Sequence, residues 1–559
     1  MIKKIGVENS STSVNSSTAS QRKEGIKNPS FKGLGAIALA GIQKCEQVPM
    51  INVAVIDMLS AILPRTIVES MTNWFAGFEA FRRESSGLIV NCLIPSFITL
   101  GIAKCLNPAF LPKGVDMSRS WASVDMIQKA SEYYNNAQSN DKVEESLKKL
   151  IENIEGVDGD KHVNFANELK GDIDTYAKQL ADISRKDIKN SDMRKEVGKI
   201  TDKIIEKTKV SEHITIEKIN AQSVNSVLED SVKFFREFQR TDGKISIEEF
   251  AKINKKFVRT KSLLGLAVVL PLAASMQYIN RWITGKVSGT KGAPIYDDFA
   301  KGQENIEENP KAKEGLLRQK LISISSMITV SLLSLTKMPN MKMLDFKGMF
   351  PTMDQARIIS TTTFASRMAA ADDKNELAEA TVRDIATFAS LYYLGDVAAK
   401  GAATIIQNKT GVKLLNDMKP LEGNEGIWKK FKHWMKDVNI KSSNEVVSKT
   451  EEALKGIKPT KEQAEIIKKE LEKAVNYRSY CQYTNIGVSL ALLGLFIPIF
   501  TRRNTKRKHE QALKLAQEQN KTQVENKKSE EKEEKVTPLN VQYSKLTAGF
   551  RADKQQKAV

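Results

Sequence analysis

Three carboxylates interrupt otherwise apolar stretches of this chain. Asp57 breaks the run VPMINVAVIDMLSAIL (Val48–Leu63). Asp384 and Asp396 flank the small-residue core of LAEATVRDIATFASLYYLGDVAAKGAATII (Leu377–Ile406). Ionisable groups inside a membrane helix are costly, so they pair with one another or line a path for water, ions or solute. Asp396 has Lys400 four residues on, and Arg383 has Glu379 four residues before it. Those spacings let side chains meet along one helix. Asp57 has no opposite charge three or four residues away, so it discriminates best between pairing and transport.

A second pattern resembles a metal loop. In FQRTDGKISIEEF (Phe238–Phe250), Asp242, Gly243, Ile245 and Glu249 fall at positions 5, 6, 8 and 12 of a twelve-residue calcium loop. Positions 1 and 3 are Phe238 and Arg240, where calcium needs oxygen ligands. A turn at Asp242-Gly243, followed by a helix capped by Ser246 with Glu249 three positions on, accounts for the same residues. Calcium binding is not expected, and no cofactor is implied.

His162, His213, His433 and His509 are isolated, and none lies in an apolar run. That excludes a HExxH protease and a multi-histidine metal centre. Cys45, Cys92, Cys105 and Cys481 form no CxxC pair and read as buried thiols. The Gly-rich stretch GKVSGTKGAP lacks the spacing of a phosphate loop. A formal charge of +19 raises nucleic-acid binding, but its distribution argues against it. The tail from Thr501 to Val559 holds fifteen basic and eight acidic residues, a surplus of seven, and no base-reading signature accompanies it.

The elements that would position the carboxylates are helices in a membrane. The 559 residues alternate apolar runs with charged segments. Val48–Leu63, Gly87–Ala103, Ser262–Ile279, Leu321–Leu335 and Asn485–Phe500 read as spans, with Leu377–Ile406 as a further one. The fold class is therefore all-α: a multi-pass helical membrane protein of four to six spans with an inserted soluble helical domain. Its parts run as a flexible polar leader (1–33), a first membrane region (34–112) and a soluble helical domain (113–261). A membrane hairpin (262–337), a helical region with a span (338–411) and a charged helical segment (412–483) follow. The last span (484–501) leads into a basic, largely disordered tail (502–559).

No secretory leader is evident, since the first apolar run, Leu34–Ile42, is short and starts late. Arg502, Arg503, Lys506, Arg507 and Lys508 follow the last span, putting the C-terminus inside and in reach of anionic lipid headgroups. Six crossings place the 113–261 domain inside too, in line with five basic residues before Ser262 against three after Ile279. Arg82 and Arg83 then lie outside, against the rule. Four crossings accommodate those arginines but not the basic residues before Ser262.

The fragments NPSFKG, PRTIVES, FRRESSG, YINRW and EATVRDIATF with a later LGD resemble a group of uncharacterised multi-pass proteins of gut-associated, non-photosynthetic relatives of cyanobacteria. The resemblance implies a bacterial inner membrane and carries no activity. The leading functional expectation is a non-enzymatic scaffold, envelope or assembly component. Its partners are the bilayer and proteins bound through the soluble domain and tail. A transporter or channel using Asp57, Asp384 and Asp396 is the alternative.

Overall fold

The computed structural model describes residues 49–500, apart from 72–73, 119–122, 289–314, 336–342, 347–349, 373, 422, 424 and 455–458, together with Arg503. The leader, the run Leu34–Ile42, most of the Gly-rich stretch and the tail lie outside the described residues. So do Arg502, Lys506, Arg507 and Lys508. Arg503 is exposed.

The chain is mostly helical. Among the described residues, five helices are long and apolar enough to cross a membrane: Met50–Ser70, Gly77–Phe110, Ile247–Val287, Leu316–Ser334 and Lys461–Phe500. Each coincides with an expected span. Leu377–Ile406 is also helical, through Lys374–Ala389 and Gly395–Thr410. Its apolar stretch is broken by Arg383, Asp384, Asp396 and Lys400, and it is not among the five. The Met353–Ala369 helix packs between Ile247–Ser288 and Leu316–Ser334 and completes the bundle.

The 113–261 region differs from the expected helical domain by containing a sheet. Strands β1 (Ile154–Asp158), β2 (Lys161–Asn164), β3 (Glu212–Ile216) and β4 (Ile219–Ser223) form an antiparallel sheet in the order β2-β1-β3-β4. Gly159, at φ +74, turns the first hairpin. Ile154, Val163, Ile214 and Ile216 are buried from the sheet against the helices. The expected helix across NELKGDIDTYAKQLADI is two helices, Phe165–Leu169 and Asp172–Arg185, because the chain turns at Lys170 with φ 38.

A 42-residue helix, Ile247–Ser288, joins this α/β unit to the bundle. Phe250, Phe257 and Val258 belong to the core of the α/β unit. Leu266, Val269 and Ala273, on the same helix, pack in the bundle with Val90, Phe346 and Ile359. The boundary expected at 261/262 thus falls inside one uninterrupted helix.

The segment after Gly411 is not helical throughout. β5 (Leu415–Asp417) pairs with β6 (Val438–Ile440), and the long charged helix begins at Lys461. This segment docks on the α/β unit. Gly159 N–H donates to Asn416 Oδ1 at 2.7 Å, Lys441 Nζ meets Asp158 Oδ1 at 2.5 Å, and Ser211 N–H donates to Glu445 Oε1 at 2.9 Å.

Candidate functional site

Among the described residues, four helices of the bundle are interrupted by π-helical turns: Met58–Ile62, Ile89–Leu93, Ser390–Leu394 and Leu490–Phe496. A π turn widens the helix by one residue and redirects the side chains around it, and such turns are frequent at functional sites. All four meet at one cavity of about 50 Å³, room for one or two water molecules. Ala61, Asn91, Cys92, Tyr392 and Leu493 line it from the four turns.

Its charged lining comes from four helices. Asp57 enters from the first, and Arg65 lies two turns further along the same strand of helix. Glu84 is supplied by Trp74–Leu88, Arg367 by Met353–Ala369 and Arg383 by Lys374–Ala389. Arg65 Nη1 meets Glu84 Oε1 at 2.6 Å, and Arg367 Nη2 approaches Glu84 Oε2 at 3.9 Å. Just behind the wall, Asp384 accepts from Arg367 Nη1 at 2.7 Å and Arg383 Nε at 3.2 Å. Three guanidiniums thus face three carboxylates, Asp57, Glu84 and Asp384, and the set is formally neutral. Asp57 alone among them makes no hydrogen bond or ion pair within 4 Å among the described residues. Desolvated pairs of this kind hold only where geometry and hydrogen bonding compensate both ions.

A second polar tier lies beyond. Arg83 Nη2 meets Glu79 Oε1 at 2.6 Å, and Arg82 Nη1 donates to Asn280 Oδ1 at 3.1 Å. Thr284 Oγ1 accepts from Arg82 Nη2 at 2.8 Å and Arg83 Nη2 at 3.0 Å. The two arginines that strain the topology rule are therefore held by the long helix rather than free to meet headgroups.

The expected site residues separate. Asp57 and Asp384 share the cavity and its wall. Asp396 does not belong there: it is 58% exposed by side chain and pairs with Lys400 at 2.9 Å along its own helix. Sequence reading passes over Arg65, Glu84 and Arg367. Arg65 and Glu84 could have been suspected as charged residues beside apolar runs, whereas Arg367 lies in a polar, Thr-rich stretch that carries no such signal.

The calcium-like loop is a turn. Asp242 and Gly243 take φ 52 and 72, and Ser246 Oγ accepts from Glu249 N–H at 3.2 Å. Phe238 stacks into the core, 5.6 Å from the Phe250 ring. Arg240 reaches Glu237 at 3.2 Å and Asp187 at 3.0 Å. Among the described residues, no group of three or more His, Cys, Asp and Glu side chains is placed to hold a metal ion.

No protein-family model, no curated protein and no solved structure matches this chain.

Proposed function

We propose that the chain is a non-enzymatic scaffold of a bacterial inner membrane, with its C-terminus on the cytoplasmic side and its α/β unit on the other, because the segment docked on the α/β unit leads into the last span. The observation that supports it most is the single helix Ile247–Ser288, whose two ends belong to two different hydrophobic cores. A domain built on the end of a span has a fixed orientation to the bilayer, and a fixed orientation suits the presentation of a surface to partner proteins. The α/β unit and the tail are the surfaces offered to such partners.

A second reading rests on Asp57. A carboxylate in a membrane cavity beside arginines, with no bonded partner of its own, is the arrangement a proton or small-ion path would use.

One experiment separates them. Photo-crosslinking residues placed at the exposed Lys178 and Lys199 are expected to give discrete protein adducts in cells. Proteoliposomes of wild type and Asp57→Asn should show equal proton and cation flux. Flux that depends on Asp57 would favour transport, and absence of adducts at both positions would overturn the scaffold.

A further inference from the structure

The helix Ile427–Lys436, IWKKFKHWMK, buries none of its residues. At 100° per residue, Ile427, Trp428, Phe431, Trp434 and Met435 fall within an arc of about 120°. Lys429, Lys430, Lys432, His433 and Lys436 fill the rest, and the helix contains no acidic residue. Ile427 is 88%, Trp428 78% and Phe431 43% exposed. Trp428, Phe431 and Trp434 form a continuous aromatic ridge, with ring centroids 5.8 and 6.1 Å apart. Apolar side chains in this number are not left in water without a covering surface.

The position of the helix identifies that surface. Trp434 Nε1 donates to Thr404 Oγ1 at 3.3 Å, and Lys400 Nζ donates to the Met435 carbonyl at 3.0 Å. Both anchors lie on Gly395–Thr410, which runs beside the helix carrying the last span. Ser390 Oγ bonds Ser489 Oγ at 3.4 Å. Gly395 is packed so closely on Asn485 that a Cβ would stand 2.1 Å from its Oδ1. Asn485 is where the last apolar run begins. Thr404 is nine residues past Gly395, about 14 Å along the helix axis. Part-way along that distance, Tyr480 and Tyr483 are exposed on the neighbouring helix, as in the aromatic belt at a membrane surface.

We propose that Ile427–Lys436 lies in the headgroup layer of the same bilayer that the five long helices enter, on the side where the last apolar run begins. Its aromatic ridge enters the acyl boundary, and its lysines bind anionic phosphate headgroups. The basic face supplies the charge complementarity, and the two anchors make the contact continuous with the bundle. The proposal is independent of whether the bundle scaffolds or transports.

The test uses the full-length protein in three settings: detergent, phosphatidylcholine nanodiscs, and nanodiscs containing phosphatidylglycerol. Amide exchange over 427–436 should be about tenfold slower in the anionic nanodiscs than in the other two. Acyl chains brominated near the headgroup should quench Trp428, read as wild type minus Trp428→His. Reversing Lys429, Lys430, Lys432 and Lys436 to Glu should remove the anionic-lipid protection while leaving exchange of the α/β unit unchanged. Equal exchange in all three settings, or an unquenched Trp428, would overturn the proposal. So would protection that follows protein concentration rather than lipid, because it would mean the ridge is covered by a second copy.

Discussion

The Arg367 guanidinium and the Asp384 carboxylate bond at 2.7 Å across two helices, with the Asp384 side chain only 1% exposed. Neither ion is held by sequence neighbours alone. Removing one partner of a buried pair leaves the other uncompensated, which costs about 3–5 kcal/mol, whereas replacing both by apolar groups is far milder. Arg367→Met should therefore lower unfolding stability in detergent by about 3 kcal/mol. Arg367→Met with Asp384→Leu should recover most of the loss. A double variant as unstable as the single one would show that the pair is not the unit of stability.

At Gly494 the first and last spans approach closely. A Cβ there would stand 2.8 Å from the Ser60 carbonyl oxygen and 2.8 Å from Pro64 Cβ. Neither neighbour is a flexible side-chain end. Gly494→Ala is expected to cost about 1–3 kcal/mol through forced separation of the helices. Gly487, on the same helix, has open space around it, so Gly487→Ala should change the denaturation midpoint little.

Lys233 sits in the α/β unit at 2% exposure, its Nζ without a hydrogen-bond partner among the described residues. Burial pushes the ammonium down to about 8, a shift that nearby Asp116, Glu237 and Asp230 only partly counter. The unfolded chain keeps the ordinary lysine value near 10.5. Between those values the unfolded state binds more protons, so stability rises with pH from about 8 to 10.5, by up to about 3 kcal/mol, and is flat below. Urea titrations of wild type and Lys233→Met should differ by that slope. Lys233→Met should also be the more stable near neutral pH. Parallel curves would mean the amine is solvated.

Calcium should give no saturable heat with the full-length protein at micromolar concentration. The Arg240 guanidinium occupies the carboxylates of Glu237 and Asp187, and Phe238 is committed to the core. Micromolar binding that Glu249→Ala abolishes would contradict this geometry.

The spans and the Ser246 cap were legible because both signals are local: about twenty apolar residues in a row, or four residues around a turn. The sheet was not. β1 and β3 are five residues each, IEGVD and EHITI, set between strongly periodic helices whose pattern dominates any window around them. Pairing by spacing succeeded for Asp396 with Lys400. It could not find Arg367 as the partner of Asp384, because seventeen residues and a turn separate them. The four π turns carry no residue signature of their own, and their convergence on Asp57 is a product of packing. Ile427–Lys436 has a clear helical period, but it lies in a segment whose overall charge hides it.

The uninterrupted helix Ile247–Ser288 also has a mechanical meaning. Its stretch from Ile247 to Lys261 extends beyond the apolar run as an arm of about 22 Å. A change of about 10° in the tilt of that span, as a thicker or thinner bilayer would impose, sweeps the far end through about 4 Å. The α/β unit is clasped from another direction by Lys441 on Asp158 and Glu445 on Ser211. That clasp leads back to a different helix of the bundle. Unequal tilting of the two helices would shear those bonds, so bilayer thickness becomes a force applied at one identifiable seam.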